Sequence, residues 1–359
     1  MNLQKNYILL SFATLLFIGL MILLSILLLA KNNIFPGAIF DLLSFSIVNI
    51  GAYLLFMMAF GIVKKSNSDF FYYKLIWMQE MLVILGFLGI GLGFVFMVSG
   101  MLIPPPPGVD PTAKLIGSMA IALITVVYGF VGAFGFYLIQ KYYEFKGDNN
   151  KIIEIAVPKE GFQFQSLIYF IIFLFIILFS SYIGASDAGT ELKNIFTFDA
   201  FIVVICLNIL FIFLYKGNFL NLLKNIFWYS PDTDNIIRYN LKFIRSIKKI
   251  TSMIMALILI MTPIVLLAAL SMPPQEHEHG YSEVSLLVFI NILIYYIAII
   301  LKIILINVIE AREVSRLYLV TGKISAGDRY YTITYILPPA ILLYITLILI
   351  VYWMNLFYF

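Results

Sequence analysis

Two apolar segments decide the fold: MLVILGFLGIGLGFVFMVSGMLI at residues 81–103 and KLIGSMAIALITVVYGFVGAFGFYLI at residues 114–139, joined by a proline-rich turn. A helix needs about 20 apolar residues to cross the hydrocarbon of a bilayer, and each segment is long enough. Small residues recur on one helical face of each segment: Gly86, Gly89, Gly93 and Gly100, then Ser118, Ala122, Thr125 and Gly129. Because small residues let helix backbones approach closely within lipid, we expect a tightly packed membrane hairpin.

The composition excludes a soluble globular protein. Hydrophobic residues make up 62% of the chain and charged residues 12%, whereas soluble domains carry about 25% charged residues. The only cysteine, Cys206, excludes an internal disulfide. The pattern predicts an all-α polytopic membrane protein with about nine spans, at 7–30, 39–63, 81–103, 115–139, 165–184, 199–215, 250–271, 285–308 and 335–357.

The basic residues predict an orientation. Lys and Arg concentrate after the second, fourth, sixth and eighth predicted spans, whereas the opposite loops hold only Lys31, Lys114 and Lys193. Cytoplasmic loops carry such an excess, so we expect a cytoplasmic N-terminus and an outer C-terminus. The net charge of +4 then reflects topology and not nucleic-acid binding. We expect a multi-pass protein of the bacterial cytoplasmic (inner) membrane.

Two similar stretches suggest an internal repeat. Lys31–Asp41 and Leu192–Asp199 both run from Lys-Asn through Ile-Phe to Phe-Asp, and each precedes a predicted span that holds one asparagine. We therefore expect a parallel duplication of four-helix units followed by an added span, with boundaries at 1–160, 161–333 and 334–359. Asp41 and Asp199 open their spans at the predicted outer edge, where an aspartate caps a helix N-terminus.

Within the hairpin, GFLGIGLGF (Gly86–Phe94) and GSMAIALITVVYGFVGAFGF (Gly117–Phe136) resemble the pore-forming helix pair of the MotA/TolQ/ExbB proton-channel family. A small residue, one threonine and a Tyr-Gly step match the family's fourth helix, and Val126 stands where a second threonine often follows. The resemblance implies a homo-oligomeric, proton-motive-force-coupled channel subunit acting with a single-span acidic partner of the MotB/ExbD/TolR kind. The pore- or partner-facing residues that it implies are Gly86, Gly89, Gly93, Ala122, Thr125, Tyr128 and Gly129.

One interval departs from that family. MotA proteins place a large cytoplasmic domain between their second and third spans, and here Lys64–Trp77 leaves room for a turn only. Driving a rotor is therefore not expected.

Two other classes of function remain open. Few charges fall inside the predicted spans, with Lys302 near the end of span eight and Glu80 at the start of span three. A transporter that carries protons by itself usually needs an acid or a histidine deep in a helix, which counts against a self-contained small-solute permease. The third class is a non-transporting membrane scaffold, against which the glycine and threonine pattern of the hairpin counts.

The remaining polar stretches predict little chemistry. His277 and His279 alternate with carboxylates in a predicted outer loop, so they are weak candidate metal ligands, with a solvated loop as the simpler interpretation. The basic segment IIRYNLKFIRSIKKI (236–250) is expected to form a helix resting on membrane lipids or on a partner. No enzyme or nucleotide-binding motif is present, and we expect neither catalysis nor a cofactor.

Overall fold

The computed structural model describes residues 41–63, 66–101, 111–146, 158, 160–187, 218–230, 232–271 and 283–323. In this part the chain is nearly all helical. The helices are α1 (Leu42–Phe60, with a π-helical turn at Ser46–Ile50), α2 (Ser68–Met101), α3 (Pro111–Lys146), α4 (Phe164–Asp187), α5 (Asn218–Phe227), α6 (Asp234–Ser271) and α7 (Glu283–Thr321). Two short strands, β1 (Gly161–Phe162) and β2 (Trp228–Tyr229), pair antiparallel.

Five helices of the described residues are long and apolar enough to cross a membrane, as expected of a multi-pass membrane protein: Leu42–Phe60, Ser68–Phe96, Ile124–Tyr143, Phe164–Ser186 and Ile290–Thr321. They coincide with predicted spans two, three, four, five and eight, which confirms the helical membrane class. Helix α6 covers predicted span seven. Spans one, six and nine lie outside the described residues. The total of nine, the orientation, the duplication and its three-part division therefore stay predictions.

Helix α2 lies at the centre of the described bundle and packs against α3 on one side and α7 on the other. Towards α7, a Cβ atom added at Gly91 would lie 2.6 Å from the ring of Tyr296, so only glycine fits beside that ring. The Tyr296 hydroxyl also donates a hydrogen bond to the carbonyl oxygen of Phe87, at 3.0 Å. Gly91 is not part of the predicted stripe, and its closest neighbour is α7.

The short connection between α1 and α2 is tied to the end of α7. The Asn67 side chain accepts from the Phe70 backbone N–H at 3.0 Å, which caps the start of α2. The Asn67 backbone N–H donates to the Tyr318 hydroxyl oxygen at 2.9 Å, and the Phe70 and Tyr318 rings stack at 4.3 Å. Most of the interval predicted as a turn therefore forms the first turns of α2.

Helix α6 packs along α7, so the segment 236–250, which was expected to rest on membrane lipids or on a partner, contacts a helix of its own chain. Six Ile and Leu residues lie on one helical side of this segment, and of these Ile236 and Ile250 are 50% and 43% exposed. The other four are buried in the protein: Ile237, Leu241, Ile244 and Ile247. The apolar side of α6 is covered mainly by the protein because a second long helix lies beside it.

Candidate functional site

The predicted small-residue stripes meet at the interface between α2 and α3. A Cβ atom added at Gly129 would lie 2.7 Å from the Leu82 carbonyl oxygen, and one at Gly86 would lie 3.3 Å from the backbone of Val126. The Thr125 hydroxyl donates to the Gly86 carbonyl oxygen at 3.4 Å, and Thr125 is 2% exposed. The two backbones are therefore in direct contact, as small residues allow within lipid.

Four of the predicted site residues, Gly86, Gly89, Thr125 and Gly129, are brought together in this interface. Gly93 is buried in α2, and Ala122 lies in α3 where its side chain is outside the described residues. His277 and His279 also lie outside them. The four clustered residues face each other within the chain, so their exposure to a pore or a partner stays a prediction.

Tyr128 contacts the start of α1. Its hydroxyl oxygen accepts from the Asp41 backbone N–H at 3.2 Å, and its ring meets the Phe45 ring edge-on at 6.0 Å. Tyr128 lies midway between Lys114 and Lys141 in the sequence, about 20 Å along the helix from each at 1.5 Å per residue. Asp41 is thus held against the middle of the uncharged part of α3.

Asp41 caps α1, as predicted, but its neighbours were not foreseen. Its carboxylate accepts from the backbone N–H groups of Leu43 at 3.3 Å and Ser44 at 2.9 Å, and from the Ser44 hydroxyl. The sequence placed Asp41 at the outer edge of the bundle. That position along the membrane stays a prediction, and the structure adds that Asp41 lies beside Tyr128, near the middle of α3.

A second group of polar residues, here called the ionic cluster, joins the end of α7 to its neighbours. It contains four basic and four acidic side chains: Arg245, Lys248, Arg312 and Arg316, with Glu80, Asp232, Glu310 and Glu313. The charges balance. Six of the eight side chains are almost fully buried, and Asp232 and Arg245 are 28% and 21% exposed.

Lys248 of α6 lies between two carboxylates. Its Nζ is 2.7 Å from Glu310 Oε2 on α7 and 3.8 Å from Glu80 Oε1 on α2. Arg245 Nε donates to the other Glu310 oxygen at 3.3 Å. Moving one of these helices would separate a buried charge from its partner, which is costly. These contacts therefore fix α2, α6 and α7 relative to one another.

Glu313 is the centre of the rest of the cluster and is 0% exposed. Its Oε1 accepts from Arg316 Nη1 at 2.6 Å and from Asn225 Nδ2 of α5 at 2.9 Å, and its Oε2 accepts from Asn240 Nδ2 of α6 at 3.4 Å. Arg316 also donates to the Ser230 carbonyl oxygen at 2.8 Å and to the carboxylate of Asp232. One carboxylate thus links α5, α6 and α7.

Arg312 and Ser315 of α7 bind the end of α1. Arg312 Nη1 donates to the Met58 carbonyl oxygen and the Ser315 hydroxyl donates to the Ala59 carbonyl oxygen, both at 3.2 Å. The last carbonyl groups of a helix have no partner inside it, and a cation there also complements the helix dipole. α7 therefore supplies the C-terminal cap of α1.

The two arginines also act on Tyr229, which is 3% exposed. Burial raises the pKa of Tyr229 above its ordinary value near 10, and the positive charges of Arg316 and Arg312 partly oppose that rise. Burial dominates, so the folded protein holds this phenol in its neutral form.

The sequence analysis does not predict the ionic cluster, because Arg312 and Arg316 belong to the basic stretch after span eight that is expected to be a cytoplasmic loop. One signal was available: Glu310, Glu313 and Arg316 follow at intervals of three, which places acids and a base on one helical face. Among the described residues, no group of three or more His, Cys, Asp or Glu side chains could hold a metal ion. Comparison with protein-family models, with curated proteins and with solved structures found no match to this chain.

Proposed function

We propose that the chain is a self-contained membrane permease or transporter subunit for a small solute, with Asp41 as its ion-carrying group. The observation that supports this is the contact between Asp41 and Tyr128 midway along α3. Asp41 is half-buried where α1 begins, and an acidic side chain packed among membrane helices marks a candidate proton or ion pathway. The sequence argument against a permease was the lack of an acid deep in a helix, and Asp41 provides instead an acid at a helix start that contacts a second membrane helix.

The chemistry of Asp41 suits reversible binding of a proton or a small cation. Its carboxylate accepts two backbone N–H groups at the N-terminal end of α1. The Ser44 hydroxyl donates to this carboxylate, and the Tyr128 hydroxyl oxygen accepts from the Asp41 backbone N–H. These groups form a small polar site among helices that are otherwise apolar.

Helix α1 joins this polar site to the ionic cluster. Asp41 stands at its start, and Arg312 and Ser315 bind carbonyl groups in its last turn. The helix between them is about 28 Å long at 1.5 Å per residue. In a transporter, a shift of α1 when Asp41 gains or loses an ion would strain the cap at its other end, which couples the site to the helix packing of α7.

The location that we propose is the bacterial cytoplasmic membrane, with the ionic cluster on the cytoplasmic side. The distribution of basic residues supports this orientation. The basic residues of the cluster, Arg245, Lys248, Arg312 and Arg316, lie in the Lys- and Arg-rich stretches that are expected on the cytoplasmic side.

The experiment reconstitutes the purified chain alone in liposomes that contain a pH-sensitive dye and follows proton movement on addition of a panel of small solutes. Asn caps helices as well as Asp does but carries no charge, so Asp41→Asn should abolish the flux and leave the fold intact. Asp69→Asn is the matched control, since Asp69 is an exposed acid in the first turn of α2. Equal flux through the wild type and Asp41→Asn would contradict the proposal.

The second candidate is a channel subunit that works with a single-span acidic partner and forms a homo-oligomer. It is favoured by the outer side of α3, where Val127, Phe130 and Val131 are 54%, 42% and 46% exposed and could receive a partner helix. Under this alternative the chain alone conducts nothing. A pull-down in mild detergent should then recover a small single-span protein with an intramembrane aspartate, and flux should require its addition. A scaffold would show no flux under either condition.

A further inference from the structure

We propose that the β1–β2 pair and its flanking residues form an anchor in the phospholipid headgroup layer. The interface anchor consists of Phe162, Phe164, Lys224 and Trp228. It is a surface for lipid and takes no part in the proposed transport site.

The interface anchor is built on a fixed piece of backbone. Phe162 of β1 pairs with Trp228 of β2, and the Gln163 backbone N–H donates to the Phe227 carbonyl oxygen at 2.6 Å. The Phe227 ring packs against the Phe170 ring of α4 at 5.7 Å. These contacts join the end of α5 to the start of α4, so the anchor cannot move independently of a membrane-spanning helix.

Large aromatic side chains on this backbone face outward. Phe162, Phe164 and Trp228 are 50%, 63% and 38% exposed. The Lys224 ammonium lies 5.5 Å from the centre of the Trp228 ring, which holds a positive charge beside the aromatic group. A contiguous exposed apolar patch often marks a contact with a membrane or with another protein.

The interface anchor continues the lipid-facing side of α4. Exposed apolar residues run along that helix at alternating intervals of four and three, which keeps them on one side: Phe164, Ile168, Ile171, Phe175, Leu178 and Tyr182. The stripe begins at Phe164, which belongs to the anchor. The anchor therefore lies where an apolar surface long enough to cross the hydrocarbon comes to its end.

The chemistry of the occupant follows from that position. Trp and other aromatic rings collect at the level of the headgroups, and a lysine there can reach the phosphate with its ammonium while its stem lies in the apolar region. The charge of Lys224 complements phosphate. A phospholipid headgroup layer therefore fits both the aromatic groups and the cation.

The test places a nitroxide label at single cysteines in a Cys206→Ser background, since Cys206 is the only native cysteine. The positions are Trp228→Cys and Phe162→Cys in the anchor, Phe175→Cys in the middle of the α4 stripe and Lys323→Cys at an exposed residue just after α7. The protein is reconstituted in vesicles of phosphatidylcholine and phosphatidylglycerol. Collision of each label with oxygen, which prefers lipid, is compared with collision with a water-soluble nickel chelate.

Both anchor labels should show a depth between those of the labels at 175 and 323, with oxygen-to-nickel collision ratios several-fold above the label at 323. Aqueous ratios at both anchor positions would overturn the proposal, and so would labels that neither reagent reaches, since that result indicates a protein-covered surface. Two anchor positions guard against one variant that does not fold. The measurement needs no transport activity, so its outcome is independent of the proposed function.

Discussion

The Thr125 side chain fills the space that a side chain at Gly89 would occupy, at the interface between α2 and α3. A Cβ atom added at Gly89 would lie 2.5 Å from both Cβ and Oγ1 of Thr125. Real Cβ atoms do not approach so closely. The two helices can therefore lie this close together only because residue 89 is a glycine.

Gly89→Ala should therefore lower the free energy of unfolding, by about 1–3 kcal/mol as overpacked core sites do. The measurement is denaturant unfolding in mixed micelles. Gly135→Ala is the matched control on α3, because a Cβ atom there meets nothing within 4 Å. Thr125→Gly in the Gly89→Ala background should recover part of the loss. Equal stability of the two alanine variants would show that α2 and α3 are not in contact at this point.

Glu313 should be among the most costly residues to remove. Glu313→Ala leaves Arg316, which is 1% exposed, without its buried carboxylate partner, and breaking a buried pair costs about 3–5 kcal/mol. Asp234→Ala is the control, since it breaks an exposed pair with Arg238 at 2.9 Å and such pairs contribute about 0–1 kcal/mol. The same unfolding titration compares them. A loss at Glu313 no larger than that at Asp234 would count against a buried cluster.

Two substitutions at Asp41 distinguish its role in capping α1 from its proposed role in transport. Asp41→Ala removes the acceptor for the Leu43 and Ser44 N–H groups and should cost about 1 kcal/mol, whereas Asp41→Asn keeps an acceptor and should cost a few tenths at most. Unfolding titrations give both values. If Asp41→Asn loses as much stability as Asp41→Ala, any loss of flux in that variant has a structural explanation.

The pH dependence of stability should respond to Tyr229. Its folded pKa is raised above the unfolded value near 10, so its contribution is complete below about pH 10 and is lost as the pH rises through the folded pKa. Tyr229→Phe should therefore flatten the fall of stability above pH 10. Unfolding midpoints measured between pH 8 and 11 give the slope. Tyr239→Phe, at a residue that is 62% exposed, should follow the wild type, and identical slopes for all three proteins would refute the assignment.

The membrane class and the hairpin could be predicted because both depend on local pattern. Twenty apolar residues must form a helix in lipid whatever lies around them, and a stripe that contains Gly86 and Gly89 must lie against another backbone. The cap at Asp41 is equally local, because it needs only its own helix.

The spacing of charges on α7 alone does not predict the contacts of the ionic cluster, because a charged residue at a helix end has the same pattern whether it meets water or another helix. Lys248 and Glu310 are far apart in the sequence, and only the packing of α6 along α7 brings them to 2.7 Å. Helix packing likewise brings Asp41 next to Tyr128, which is 87 residues away in the sequence. Local pattern places a residue along its own helix, but the offset between two helices depends on how their side chains interlock.

The cap that Arg312 places on Met58 has a consequence for biosynthesis. The two residues are 254 positions apart, and a ribosome adding about 5–20 residues per second needs roughly 13–50 s to make the chain between them. During that time the carbonyl groups of Met58 and Ala59 lack the donors that Arg312 and Ser315 provide in the folded protein. A nascent chain that stops before residue 312 therefore leaves the last turn of α1 without the donors of Arg312 and Ser315.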